Sequence, residues 1–218
     1  SADVAGLAVD GNFGGITVAT MREAEYFFDH GITDMIYAAC IVPSKLDRVA
    51  ALNAKGADVK LITDNADVAR AISDHESAFK VLIEIDCGEH RTGVLPGGPD
   101  LLEIAELLGE LAGVLTHAGH SYAERSVDAF AAIAEDERAA VVGAAERLRA
   151  AGHSCATVST GSTPCVIHAR DLSGATEVRP GVYMFGDMFH AGLGTRRIDE
   201  IAVSVLASVI AHREADNE

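Results

Sequence analysis

The amino-acid sequence predicts an α/β protein whose parallel strands close into a (β/α)8-type barrel. Short apolar runs alternate with amphipathic helical segments over most of the 218 residues. The runs are apolar nearly throughout, which is typical of parallel strands buried on both faces. No G-x-G-x-x-G sequence follows the first run, which disfavours a doubly wound dinucleotide-binding sheet. Polar residues recur just after several runs, and a barrel gathers its active site at those strand ends.

Seven strands are predicted, most of them separated by a helix or a long crossover. The first strand ends at Thr20, a good N-cap, and Glu23 three residues later completes a capping box. Gly31, Gly56 and Gly152 follow predicted helices at the position where glycine favours termination. The predicted strands are residues 16–20, 35–40, 59–63, 80–86, 111–116, 156–159 and 178–185, the last interrupted by Pro180 and Gly181. The predicted helices are residues 21–30, 45–55, 66–73, 99–108 and 128–151.

The domain organisation follows from the strand count. A closed barrel of this kind has eight strands, so one strand is unaccounted for. Residues 201–212 also have a strand-like pattern, but no helix follows them. We therefore expect an incomplete barrel over residues 1–198 and the start of a truncated C-terminal β-domain over residues 199–218.

Composition excludes several classes of partner. The formal net charge of −16 makes nucleic acid and anionic membranes poor partners. No apolar run approaches the roughly 20 residues that a membrane span requires, and no basic segment followed by an apolar one opens the chain. The four cysteines lack C-x-x-C spacing, which suits a reducing compartment. These features predict a cytoplasmic protein.

A hydroxyl-rich loop is the strongest single candidate for a binding site. A strand-like run ends in small hydroxylated residues around one glycine, where backbone N–H groups could face a ligand unobstructed. Such a loop suits a phosphate group. It is also compatible with an ordinary βα loop, because these residues are common in turns. The residues are Ser159, Thr160, Gly161, Ser162 and Thr163.

Arg91 is a second candidate, in a glycine-bracketed loop that follows an apolar strand. An arginine there could hydrogen-bond a phenolate or carboxylate of a ligand. It could equally pair with Asp86 or Glu89 of the same loop.

His117 and His120 form an H-x-x-H pattern in the loop after the fifth strand. Two histidines without a clear third ligand are a weak metal signal. His120 and Tyr122 are better interpreted as acid–base or positioning groups at a strand end. Further along, Glu177, Arg179 and Asp187 could form a structural ion-pair set.

Five motifs in order resemble the D-threonine aldolase and D-serine dehydratase group of pyridoxal-phosphate enzymes, which share the alanine-racemase type of barrel. The motifs extend over nearly the whole chain, and together they are more specific than any one alone. They are Gly15-Ile-Thr-Val-Ala-Thr20 with Glu23-Ala24-Glu25, Glu84-Ile-Asp-Cys-Gly88 with Arg91-Thr-Gly93, Ala118-Gly-His-Ser-Tyr122, Ser159-Thr-Gly-Ser-Thr-Pro164, and Thr176-Glu-Val-Arg-Pro-Gly-Val-Tyr183 with Asp187.

The resemblance implies roles for the candidate residues. Residues 159–163 would bind the cofactor phosphate, and Arg91 would face the phenolic oxygen of pyridoxal phosphate. Tyr183 would line the ring, and Asp187 would belong to the same cofactor-binding set. Tyr122, with His120, would lie near the reacting carbon as the catalytic pair.

The implied activity is that of a lyase for D-3-hydroxy amino acids, either a D-threonine aldolase or a D-serine or D-threo-3-hydroxyaspartate dehydratase. The cofactor would serve as the electron sink. The resemblance also implies a small D-amino acid as the substrate, and a homodimer is possible.

The sequence departs from the family pattern at both ends. Family members carry a Schiff-base lysine at the end of the first barrel strand, and this chain begins just after that segment. They also carry a divalent metal, Zn or Mn, in a C-terminal β-domain, so we expect no metal site here. Of the lysines, Lys60 and Lys80 open their strands and Lys55 lies late in a helix, which leaves Lys45 as the one conceivable substitute.

Three other functions remain open at this point, of which one is a catalytically inactive interaction module. Another is a carrier or homeostasis protein for pyridoxal phosphate on the same barrel, which binds the cofactor without turnover. The third, less favoured, is a metal-dependent hydrolase that uses His117 and His120.

Overall fold

Seven parallel strands form one sheet, and their spatial order is their order along the chain. The structure is a computed structural model and describes residues 1–210. The strands are β1 (Ile16–Val18), β2 (Asp34–Tyr37), β3 (Asp58–Thr63), β4 (Val81–Glu84), β5 (Gly113–Leu115), β6 (Thr157–Thr160) and β7 (Glu177–Val178). The outer strands β1 and β7 are not paired with each other. This sequential parallel order confirms the predicted barrel in its incomplete, seven-stranded form.

Eight α-helices accompany these strands in the described part of the chain. They are α1 (Ala2–Val9), α2 (Met21–Asp29), α3 (Leu46–Asn53), α4 (Ala66–Ser73), α5 (Asp100–Leu108), α6 (Val127–Ala150), α7 (Thr163–His168) and α8 (Met188–Gly192). The five predicted helices are all present, although α3 begins at Leu46, one residue later than predicted, after a separate 3₁₀ turn, Pro43–Lys45. No helix in the described range is both long and apolar enough to cross a membrane.

Helices α1, α7 and α8 were not predicted from the sequence. Helix α7 has six residues and α8 has five, so neither is long enough for a helical repeat to show in the sequence. Ser162 caps α7 with its side chain, and Pro164 lies in the first turn, where proline is tolerated. Asp187 caps α8 in the same way.

The capping box at the start of α2 is confirmed. The Thr20 side chain accepts a hydrogen bond from the Glu23 backbone N–H at 3.1 Å, and Glu23 accepts one from the Thr20 backbone N–H at 2.9 Å. Each contact satisfies an N–H group that a helix end otherwise leaves free.

The predicted last strand is much shorter than expected. Residues 178–185 do not form one strand, because β7 ends at Val178 and Val182–Met184 is a 3₁₀ turn. Pro180 has no N–H to donate to a ladder, and Gly181 weakens any strand that continues past it.

The predicted strand over residues 201–212 is wrong for its described part. Residues 201–210 form neither helix nor strand, and positions 211–212 lie outside the described residues. A strand is defined by hydrogen bonds to a neighbour, and here no neighbouring strand is paired with the segment.

The outer face of the sheet packs against the helices and holds most of the core. One cluster joins α4, α5 and α6 to β4, β5 and β6, with Leu101, Ile104 and Val141 among its fully buried members. A second joins α2 and α3 to β1, β2 and β3, around Met35 and Val59. At about 25 cal/mol per Å² of apolar surface buried, these two clusters supply most of the hydrophobic stabilisation.

The inner face has a much smaller apolar layer. It consists of four buried side chains, one from each of β2, β3, β4 and β5: Ile36, Ile62, Leu82 and Leu115. Side chains alternate between faces along a strand, so Glu84, two residues after Leu82, projects to the same side. The inner face therefore becomes polar toward the carboxyl ends of the strands.

Candidate active site

A row of side chains crosses the inner face near the carboxyl edge of the sheet. The ladder pairs Glu84 with Leu115, Leu115 with Ser159, and Ser159 with Glu177. Directly paired residues project to the same face of a sheet, and Leu115 belongs to the inner cluster. The Ser159 hydroxyl donates a hydrogen bond to Oε1 of Glu177. Three of the four side chains in this row are polar.

Arg179 lies across this row. Its Nε donates to Oγ of Ser159 at 2.8 Å, and its Nη2 donates to the backbone carbonyl of Thr116. Burial lowers the pKa of the Arg179 guanidinium, while the carboxylates of Glu177, Glu137 and Glu84 raise it. A guanidinium titrates so far above neutrality that it stays charged. The inner edge therefore holds a fixed positive charge.

His117 follows β5 and contacts the loop after β6. Its Nδ1 forms a hydrogen bond with the carbonyl oxygen of Gly161. Burial lowers the pKa of His117, and the positive charge of Arg179 lowers it further, against the opposing effect of the Gly161 carbonyl. A neutral imidazole therefore stands beside a permanent cation.

The hydroxyl-rich loop is more deeply buried than the sequence analysis expected. Ser159, Thr160, Ser162 and Thr163 are each no more than 3 % exposed. Ser159 and Thr160 belong to β6 itself, and Ser162 is the N-cap of α7. Gly161 is therefore the single residue between the strand and the helix cap.

Several donors of this loop already have partners inside the protein. The N–H of Gly161 donates to Oε1 of Glu137 at 3.2 Å, so it does not face outward. The Ser162 hydroxyl lies 2.9 Å from the Ser121 hydroxyl and accepts from the Cys165 N–H at 3.3 Å. The Thr163 hydroxyl is buried and has no hydrogen-bond partner in the described structure.

Gly161 could not be replaced without strain. Its φ of +137° is a conformation that side-chain-bearing residues rarely adopt, and an added Cβ would lie 2.8 Å from the backbone nitrogen of Arg179. Glycine at this position thus permits close packing of the β6 loop on the β7 loop.

Arg91 lies on the loop after β4, which Asp86 folds. Asp86 Oδ1 accepts hydrogen bonds from the N–H groups of Gly88 and His90, at 2.8 and 3.1 Å. Arg91 is exposed, and its Nη1 lies 3.4 Å from Oε1 of Glu89. This contact agrees with the alternative in which Arg91 pairs with an acidic residue of its own loop. Glu89 in turn accepts a hydrogen bond from the N–H of Gly119 at 3.2 Å, which connects this loop to the loop after β5.

An aromatic group surrounds Tyr122. The Tyr122 ring lies near-parallel to the rings of His117 and Phe189, with centroids 6.5 and 6.4 Å apart. His190 meets it edge-on at 5.7 Å. The Nε2 atom of His190 and the Nδ1 atom of His120 are buried without hydrogen-bond partners in the described structure.

Tyr183 and Asp187 lie on the segment after β7. The Tyr183 hydroxyl donates to the carbonyl of Ala8 in α1 at 3.4 Å. Oδ1 of Asp187 accepts from the backbone N–H of His190 and lies 2.8 Å from its Nδ1, and these two contacts hold the pKa of Asp187 below its usual range. The Asp187 carboxylate therefore has protein partners already, whereas Tyr183 is 39 % exposed.

One group of three potential metal ligands lies together in residues 1–210: Cys40, Asp64 and Glu84. The Cys40 thiol donates to Glu84 at 3.0 Å, and the Thr92 hydroxyl donates to the other Glu84 oxygen at 2.9 Å. Burial raises the pKa of the Cys40 thiol, and Glu84 raises it further. The thiol would have to lose its proton to bind a metal. The group does not include His117 or His120.

Three of the four lysines form side-chain contacts in the described residues. Lys60 pairs with Asp34, and Lys80 pairs with Asp58 at 2.9 Å, near the amino ends of the strands, as the sequence predicted. Lys45 donates to the Tyr37 hydroxyl at 2.6 Å.

Glu137 and Ser121 were assigned no role from the sequence, and Arg179 was assigned a structural role only. Glu137 lies within the long α6, where an isolated glutamate gives no signal of burial. Arg179 could have been identified, because it stands two residues after Glu177, at the position that continues the same face just beyond the end of β7.

The incomplete parallel barrel thus brings a cation, a neutral imidazole and a hydroxyl-rich loop together at its carboxyl edge, where barrels of this class carry their active sites. The chain belongs to the family described as alanine racemase, N-terminal domain, which matches residues 1–188. The resemblance drawn from the five motifs is thereby confirmed, including its placement among the pyridoxal-phosphate enzymes of this barrel type.

Two curated relatives that the chain matches are dehydratases. The chain is 47 % identical over 208 residues to D-threo-3-hydroxyaspartate dehydratase of Delftia sp. (strain HT23), covering 91 % of the chain and 55 % of the relative. It is 30 % identical to D-serine dehydratase of Dictyostelium discoideum, covering 94 % and 56 %. The chain thus spans about half the length of the curated relatives it matches.

Solved structures agree with this placement. The Delftia dehydratase superposes with a TM-score of 0.95 at 45 % identity, over 99 % of this chain and 59 % of the other. D-threonine aldolase from Filomicrobium marinum gives 0.76 at 26 % identity, over 85 % and 52 %. A cysteine-to-alanine variant of the Delftia dehydratase is described as being in a metal-free form.

Proposed function

We propose that the protein is a pyridoxal-phosphate-dependent lyase for D-3-hydroxy amino acids, with dehydration of D-threo-3-hydroxyaspartate as its main reaction. The observation that carries the proposal is the 47 % identity to the Delftia dehydratase over 91 % of the chain. The sequence identity to D-threonine aldolase from Filomicrobium marinum is lower, at 26 %. Because the chain spans 55 % of the dehydratase, the proposal concerns the full-length protein.

The cofactor fits the residues at the inner edge. The buried Thr163 hydroxyl has no partner in the described structure, and leaving a buried donor unsatisfied is costly. A phosphate oxygen would satisfy it. We therefore assign the phosphate to the end of β6 and the cap of α7, residues 159–163, where Gly161 allows the β6 loop to pack closely on the β7 loop.

Other residues of the edge have the chemistry that such an enzyme requires. Bound pyridoxal phosphate supplies an electron sink. Arg179 contributes a fixed positive charge, and His117 contributes a neutral imidazole whose Nε2 forms no hydrogen bond in the described residues. Tyr122 and His120 remain the proposed proton-transfer pair, and Arg91, Tyr183 and Asp187 the proposed surrounding cofactor contacts.

The experiment is a product assay on the full-length protein supplied with pyridoxal phosphate and a divalent metal. Dehydration converts D-threo-3-hydroxyaspartate to oxaloacetate and ammonia, and D-serine to pyruvate and ammonia. Aldol cleavage converts D-threonine to glycine and acetaldehyde. We expect oxaloacetate formation to be the fastest of the three, with the L-enantiomers as inactive controls.

The outcomes separate the alternatives. Acetaldehyde as the main product would replace the dehydratase with an aldolase and keep the lyase class. Stable cofactor binding with no product from any D-substrate would favour a carrier and reject the proposal. Activity that requires metal but not pyridoxal phosphate would favour a hydrolase.

A further inference from the structure

Glu137 is a buried carboxylate in the middle of α6. It is 2 % exposed, and no lysine, arginine or histidine of the described chain lies within salt-bridge distance of it. Removing a carboxylate from water is costly unless hydrogen bonds compensate. The sequence around it is typical of a surface helix, so its burial points to a specific task.

Its partners are two backbone groups at the inner edge. One oxygen, Oε1, accepts hydrogen bonds from the N–H of Ala118 at 2.8 Å and from the N–H of Gly161 at 3.2 Å. Ala118 directly follows His117 after β5, and Gly161 directly follows β6. A single carboxylate oxygen therefore connects the two loops that line the proposed site.

These contacts determine the proton position on His117. The Gly161 carbonyl can only accept a hydrogen bond, so Nδ1 of His117 must be the donor. In a neutral imidazole the other nitrogen, Nε2, is then an acceptor. Glu137 fixes Gly161 on one side and the residue after His117 on the other, so both ends of the hydrogen bond are held.

We propose that Glu137 is a positioning residue that locks His117 in the Nδ1–H tautomer and presents its Nε2 as a hydrogen-bond acceptor to the inner edge. The consequence for turnover rests on the proposed function, whereas the tautomer does not. The hydroxyls of Ser121 and Ser162, 2.9 Å apart, connect the same loops independently of Glu137. The loops should therefore stay together when Glu137 is replaced.

The first test needs no cofactor and no turnover. Long-range ¹H–¹⁵N spectra of histidine-labelled full-length protein distinguish the two imidazole tautomers, and the signal missing in His117→Gln identifies His117. We expect wild-type His117 to be neutral with its proton on Nδ1 at pH 7.5. A proton on Nε2 would overturn the proposal outright, whatever the enzyme activity.

The variants test the role of Glu137 itself. Glu137→Gln keeps an acceptor oxygen and should keep the tautomer, whereas Glu137→Leu leaves two N–H groups unsatisfied and should mix the tautomers. The leucine variant should lower kcat about 10- to 100-fold with a smaller change in KM, as misplaced catalytic groups do. Val141→Ala, in the apolar core one turn along α6, is the control: it should lower stability and leave the His117 signal unchanged.

Each outcome decides the proposal. A leucine variant with the wild-type His117 signal, or a control that shifts this signal equally, would overturn it. If the leucine variant does not fold, amide exchange decides: in wild type and Glu137→Gln, Gly161 and Ala118 should exchange at least about 10-fold more slowly than Gly97, an exposed loop residue whose N–H has no hydrogen-bond partner in the described residues. Rapid exchange at both would contradict the proposal.

Discussion

The two faces of the sheet differ in what they bury. The outer face carries two large apolar clusters shared with the helices. The inner face carries four apolar side chains, followed by polar residues toward the carboxyl edge. Fold stability thus depends mainly on the outer face, and the inner face is available for chemistry.

This comparison predicts unequal costs for the same substitution on the two faces. Leu101 of α5, which packs against the outer face, and Leu82 of β4, on the inner face, are both fully buried. We expect Leu101→Ala to lower the free energy of unfolding by about 4 kcal/mol and Leu82→Ala by about 2 kcal/mol, because fewer apolar neighbours surround Leu82. Urea denaturation of the two variants measures the difference, and equal or reversed costs would remove the distinction between the faces.

Two glycine-to-alanine substitutions are expected to change the stability of the protein in opposite directions. Gly161→Ala should destabilise the protein by about 2 kcal/mol, since its backbone conformation and the nearby Arg179 nitrogen both oppose a Cβ. Gly143→Ala, in α6 with open space around it, should stabilise by about 0.5–1 kcal/mol. Thermal unfolding of both variants is the measurement. Stabilisation by Gly161→Ala would show that the β6 loop is not tightly packed.

The smallest expected effect is a pH dependence from His117. Its pKa is lowered on folding from the ordinary value of 6.5, chiefly by burial. The unfolded state therefore binds the proton more tightly than the folded state. The contribution of His117 to the free energy of unfolding is complete above pH 6.5, and it decreases as the pH falls toward the pKa of His117 in the folded protein. His117→Gln should flatten the stability profile in this window, and an unchanged profile would contradict the assignment of a buried neutral imidazole.

The fold was largely predictable because each strand is a short apolar run bounded by clear helix signals. The exceptions have local causes: Pro180 stops the last strand, and α7 and α8 are too short to show a helical repeat. The segment 201–210 has a strand-like composition, but composition cannot supply the neighbouring strand that pairing requires.

The site was predictable only in part. The hydroxyl-rich loop and His117 were recognisable because they directly follow strands. Glu137 was not, since burial of one glutamate on a 24-residue helix depends on which loops pack against it. The prediction that the Gly161 N–H faces a ligand was wrong, because this N–H donates a hydrogen bond to the Glu137 carboxylate.

Cofactor retention is the most direct test of the claim that the inner edge is the active site. The full-length wild type, Arg179→Gln and a matched control, Arg48→Gln, are loaded with pyridoxal phosphate, passed through gel filtration and compared by their bound visible absorbance. Arg48 pairs with Glu25 on the outer helices. We predict that Arg179→Gln remains folded and loses most of its cofactor while Arg48→Gln retains it. Equal retention and equal lyase activity in all three proteins would contradict the account.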